Sequence, residues 1–142
     1  MANVLLVYWS GTGNTEIMAE KIKEGLESEG ATVDFRTVDQ VDPSEVSGFD
    51  KIAFGCPSMG VEVLEEDEFE PFFEAVEGDL SGKKVALFGS YGWGEGEWMD
   101  AWQARVTDAG ANLYEEGLKI NSTPSSEEEE TCVEFGKGFA NF

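Results

Sequence analysis

No histidine occurs in this chain of 142 residues, which removes Ser-His-Asp and Cys-His nucleophilic chemistry along with any histidine-ligated metal site. Cysteine is nearly absent too. Cys56 and Cys132 stand far apart with no metal-like spacing, so they form no disulfide framework and read as small buried hydrophobes. Basic residues are scarce, 9 Lys and Arg against 30 Asp and Glu, for a formal net charge of -21. Such a surface repels nucleic acid and anionic membranes and steers the molecule toward basic patches on protein partners; a saline habitat would favour the same surface. Long apolar runs are missing, and no basic segment precedes a hydrophobic stretch at the N-terminus, so a membrane span and a leader are not expected. These absences together lead us to expect a cytoplasmic monomer of one domain, residues 1–142, with no metal site.

What is present is an alternation of short apolar runs and amphipathic stretches. Residues 4–9, 32–38, 51–56, 83–89 and 112–120 read as strands, the second with one more polar face and the third apolar throughout. Residues 16–29, 68–76 and 97–109, and a stretch beginning at 127, carry apolar residues at helical spacing, with Gly30, Gly78 and Gly110 near three of the ends. Residues 42–46 suggest a single helical turn, and the run Glu127–Glu130 a solvated helix start that complements the dipole. Five strands alternating with helices predict an α/β three-layer sandwich around a five-stranded parallel sheet, and right-handed crossovers favour the order 2-1-3-4-5. Strands 1 and 3 then diverge at a switch point. Three Gly-rich loops converge there.

The first loop, Ser10-Gly11-Thr12-Gly13-Asn14-Thr15, runs from a buried strand into a helix start, where unpaired backbone NH groups and the helix dipole favour an anion. It has no lysine, so it is not a nucleoside-triphosphate loop, and Glu16 stands where a dinucleotide fingerprint needs a third small residue. Neutral donors suit a monophosphate; the plain alternative is a turn that caps a helix. In the second loop, Pro57-Ser58-Met59-Gly60-Val61-Glu62, the Met59 thioether can cover one face of a flat ring. In the third, Ser90-Tyr91-Gly92-Trp93-Gly94, the Trp93 ring is displayed between two glycines and can cover the other face, unless it packs on its own loop.

These three motifs, together with Gly55-Cys56, Gly89, Phe69-Glu70-Pro71-Phe72 and Glu134-Phe135-Gly136-Lys137, closely resemble the flavodoxins, in particular the short-chain type of anaerobic bacteria, over the whole chain. The resemblance implies a flavodoxin-like fold, non-covalently bound FMN, and a low-potential one-electron carrier that shuttles between semiquinone and hydroquinone and passes electrons to basic-faced redox proteins and oxidoreductases. It is not itself an enzyme on this reading. Ser10 to Thr15 would hold the phosphate, with Ser90 as a further donor or ribityl contact. Met59 and Trp93 would flank the isoalloxazine, Glu62 would accept from its N3 hydrogen, and Gly89, Tyr91 and Gly92 would line its pyrimidine side. Either Asn121 or Ser122 is placed to reach the ribityl chain. The carbonyl after Met59-Gly60 would turn toward N5 on reduction, a flip that β-branched Val61 makes harder than Gly would.

Other readings of the same fold are open to test. An FMN-dependent quinone or azo reductase would need a hydride-donor pocket where Met59 and Trp93 cover the ring. A phosphoacceptor signalling domain would need acidic residues where Ser10-Gly11 and Pro57-Ser58 stand. A non-redox binding module would carry no flavin.

Overall fold

The computed structural model describes residues 3–11, 13–59, 63–92, 94 and 96–142. Strand β1 (Asn3–Tyr8) alternates perfectly between two cores. Val4, Leu6 and Tyr8 point to one side of the sheet, Leu5 and Val7 to the other. The chain continues through α1 (Asn14–Ser28), β2 (Thr32–Thr37), β3 (Lys51–Gly55), α2 (Phe69–Glu77), β4 (Lys84–Tyr91), α3 (Glu97–Asp108), β5 (Asn112–Leu113), β6 (Leu118–Asn121) and α4 (Ser126–Ala140). The strands run parallel in the order β2-β1-β3-β4-β5, with β6 also paired to β4. The expected order therefore holds.

Helices α1 and α4 cover one face of the sheet around Met18, Ile22, Leu26, Phe135 and Phe139, and α2 and α3 cover the other around Phe69, Phe73, Trp98, Trp102 and Val106. With both faces covered, β3 is buried along its whole length. Strand β2 forms one edge and stays partly exposed, which accounts for its more polar sequence. Gly30 and Gly110 both lie at φ +88° and end α1 and α3, where an L side chain would be strained. The turn expected at 42–46 is a 3-10 helix over Pro43–Gly48, capped by the Asp42 carboxylate on the Ser44 amide.

Two expectations need correcting. The fifth strand does not run unbroken from 112 to 120; it is two segments, β5 and β6, on the same edge of β4. Between them Glu115 takes φ +47°, and the Gly117 amide turns away from the sheet to donate to the Gln103 side chain of α3. The second change concerns the third loop, which begins later than its composition suggests. Ser90 and Tyr91 belong to β4 because Ile120 and Asn121 of β6 pair with them. Cys56 lies one residue beyond β3, its amide donating to the Phe88 carbonyl at 3.1 Å.

Candidate functional site

The carboxyl ends of β1, β3 and β4 are laced together by backbone bonds just before each loop leaves the sheet. The Trp9 amide donates to the Gly55 carbonyl at 2.9 Å, and the Ser58 amide donates to the Ser90 carbonyl at 3.0 Å. Ser122, at φ +59°, donates its amide to the Tyr91 carbonyl at 2.8 Å and brings the end of β6 into the same rim. Close packing beneath demands glycine. A Cβ on Gly55 would run into the Phe88 ring, and one on Gly89 into the Cys56 carbonyl.

In the first loop the Ser10 hydroxyl accepts from the Gly13 amide at 3.1 Å and the Glu16 amide at 3.3 Å, folding the loop over the start of α1. Gly13, at φ +97°, is the N-cap and contributes no side-chain cap, so the positive end of the helix faces the loop. Thr15 and Ser90 bond each other through their hydroxyl oxygens at 3.0 Å across the floor of the site, and the Ser90 amide also donates to the Thr15 hydroxyl. Both side chains are buried.

Between the loops lies a cleft of about 220 Å³ lined by Trp9, Gly11, Asn14, Pro57, Ser58, Met59, Ser90, Tyr91, Gly92 and Ser122. None of these carries a charge, in a molecule of net charge -21. A larger cleft of about 450 Å³ adjoins it on the far side of Trp9 and differs in character: Glu16, Asp39 and Glu68 line it. There the Tyr8 hydroxyl donates to Glu16 at 3.1 Å, and burial, reinforced by that bond, pushes its pKa up to about 12. An anion is repelled from the acidic cleft and admitted by the neutral one.

The structure thus brings Gly11, Asn14, Pro57, Ser58, Met59, Ser90, Tyr91 and Gly92 to one cleft. Ser10 and Gly13 line the acidic neighbour instead. Thr15 and Gly89 lie beneath the cleft surface, and Gly94, at φ +83°, is an exposed residue of the loop that leads to α3. Met59 is 37% exposed, unusual for a large apolar side chain, and its backbone forms a two-bond bridge with Val63 that closes the second loop. Thr12, Gly60, Val61, Glu62 and Trp93 lie outside the described residues, so the ring sandwich, the N3 contact and the Gly60-Val61 flip stand as expectations.

Trp9 and the place of Ser122 on the cleft lining are what reading the residues alone did not provide. Trp9 sits one residue past β1; its indole NH donates to Glu68 at 3.1 Å, and its ring approaches to 2.8 Å of where a Cβ on Gly11 would lie. The available signal was its place, immediately before the Gly-rich loop at a strand's carboxyl end. Ser122 emerges only from the pairing of β6 with β4.

The donor set and shape fit a neutral-donor phosphate site opening onto a partly apolar slot. The residue-level fit to FMN rests on three features: glycine at position 11 where a side chain would strike Trp9, a helix start whose N-cap is a glycine with no side chain, and a lining without charge among the described residues. A family model described as Flavodoxin matches residues 6–136. The flavodoxin of Clostridium beijerinckii is 49% identical over 136 residues, covering 96% of this chain and 98% of that one. The flavodoxin of Megasphaera elsdenii is 46% identical over 137 residues, covering 96% and 98%. The solution structure of two-electron reduced Megasphaera elsdenii flavodoxin superposes with a TM-score of 0.88 at 45% identity, over 98% of this chain and 99% of that one.

Proposed function

Since this chain belongs to the flavodoxin family, we propose that its neutral cleft binds FMN and that the protein carries single electrons between redox proteins. FMN supplies the redox chemistry; the chain binds, orients and electrostatically biases it. The observation that carries this reading is that, among the described residues, the 220 Å³ cleft is lined without a charged side chain in a chain of 30 Asp and Glu. The loop of residues 10–15 at the start of α1 would hold the phosphate, with Ser90 or Ser122 at the ribityl chain. Met59 would cover one ring face and Trp93 the other, while Glu62, Gly89, Tyr91 and Gly92 would border the pyrimidine edge. Among the described lining residues no Lys or Arg offsets the negative charge of a reduced ring, which favours a low potential.

The acidic surface supports a partner with a basic face, and no helix among the described residues is long and apolar enough to cross a membrane. We read the carrier as a cytoplasmic monomer. The deciding experiment is anaerobic reductive titration of the purified chain after incubation with FMN. We expect a bound flavin spectrum that bleaches in two resolved one-electron stages, and no direct reduction when the loaded protein is mixed with NADH or NADPH. Failure to take up FMN would overturn the reading, and rapid reduction by a nicotinamide would favour a reductase instead.

A further inference from the structure

Cations are rare in this molecule, nine in all, and almost all of them have a polar partner. Lys21, Lys23, Arg36, Arg105 and Lys137 form ion pairs with carboxylates. Lys51, Lys83 and Lys84 donate to main-chain oxygens at the opposite end of the sheet from the cleft. Lys119 is different. Among the described residues it has neither an ion pair nor a hydrogen-bond partner, although 30 carboxylates surround it in the chain.

Its place is specific. Lys119 sits in β6 opposite Gly89 of β4, the strand that leads into Tyr91 and Gly92 of the cleft. Its stem lies across Gly96, with Cδ and Nζ at 2.7 and 3.0 Å from where a Cβ on that glycine would stand. Gly96, at φ +88°, is the N-cap of α3 and carries no side-chain cap, so the ammonium is held beside the positive end of a helix. A helix N-terminus by itself disfavours a cation, and the carboxylates of Glu97 and Asp100 in the first turn of α3 offset that. Gly96 is four steps along the chain from Gly92, a reach of at most about 14 Å, so the charge lies within one or two screening lengths of the cleft at physiological salt.

We propose that Lys119, the cation beside the third loop, raises the potential of the last electron added to bound FMN and so partly offsets the acidic surface. The inference rests on FMN occupying the neutral cleft. In that step one electron comes from an external reductant and no proton is taken up, so the site gains one negative charge, which a fixed cation favours. Because Lys119 does not line the cleft, it acts through space and leaves the fit of the oxidised cofactor largely unchanged.

The test compares the wild type with Lys119→Gln, Lys119→Glu and Lys119→Arg, each loaded with FMN. Both one-electron potentials are measured by dithionite titration against reference dyes, and the dissociation constant of oxidised FMN by fluorescence quenching. Lys119→Gln should weaken binding of the fully reduced cofactor relative to the preceding state about threefold, ~28 mV at 59 mV per tenfold for one electron. Lys119→Glu should double the logarithm of that shift, Lys119→Arg should restore the wild-type potential, and 1 M NaCl should shrink every difference. Unchanged potentials in both the Gln and Glu variants with FMN bound would overturn the inference, as would an equal loss of affinity for oxidised and reduced cofactor. A wild-type chain that takes up no FMN would instead overturn the proposed function, and this inference with it.

Discussion

Glu65 shows how one buried carboxylate organises the approach to α2. Its two oxygens accept from the amides of Asp67 at 2.8 Å, Glu68 at 2.8 Å and Phe69 at 2.9 Å, closing the helix start from three residues upstream of Glu68. Burial alone pushes this carboxyl upward, but the Phe69, Glu68 and Asp67 amides outweigh that effect and hold it below the usual range. Its folded pKa lies below the unfolded value, so its stabilisation is fully present above the unfolded pKa and is lost as pH falls through the folded one. A Glu65→Ala variant is expected to lose about 2 kcal/mol in urea unfolding at pH 7. The gap from wild type should narrow on acidification below about pH 4. A gap that widened there would mean the carboxylate is not the stabilising form. Burial likewise raises the Cys56 and Cys132 thiols, Cys132 to about 12, which matches their reading as inert core residues.

At the scale of elements, glycine separates two situations that look alike in sequence. Helices α1 and α4 touch backbone to backbone: a Cβ on Gly136 would overlap the Ile22 carbonyl, and one on Gly25 the Val133 carbonyl. Alanine in a helix normally gains about 1 kcal/mol over glycine, yet overpacking of a rigid contact costs roughly 1–3 kcal/mol, and carbonyl groups of a helix cannot step aside. Gly136→Ala should therefore destabilise by about 2 kcal/mol, lowering Tm by ~6 °C in a calorimetric scan. Gly78, at the end of α2, has φ -70° and open space where its Cβ would go. There Gly78→Ala should be neutral or stabilise by about 0.5 kcal/mol, through the unfolded chain. If both variants shifted Tm equally, helix contact would not be what distinguishes them. On the opposite face Arg105 joins α3 to α2 through Glu70 and Glu77 while its guanidinium lies 4.8 Å from the Phe73 ring centre, a planar arrangement that lysine cannot copy.

For the whole molecule the governing quantity is the net charge of -21. Its described ion pairs involve only five of the basic residues, so most carboxylates repel one another across the surface. Salt shortens the screening length from about 10 Å at 0.1 M to about 3 Å at 1 M. The Tm of the FMN-loaded protein should accordingly rise by several degrees between 0.05 and 1 M NaCl, while association with a basic partner slows over the same range. A Tm that fell with salt would show that attractive pairs dominate. The neutral cleft is then a local exception within a repulsive field, and Lys119 a second one beside it.

Fold class, strand order, two helix ends and the place of the first loop were legible in the chain itself, because apolar periodicity, Gly30 and Gly110, and the Ser10–Thr15 motif act locally. The identity of the family was legible too. What only the tertiary structure decided depends on residues distant in sequence. The broken last strand follows from Gln103 capturing Gly117, the extension of β4 to Tyr91 from its pairing with Asn121, and the buried Thr15–Ser90 bond from two loops meeting on one floor. Trp9 becomes a wall between an uncharged and an acidic cleft for the same reason. Local pattern sets which element forms; which charges are left unpaired, and beside which loop, is determined only when the sheet brings its ends together.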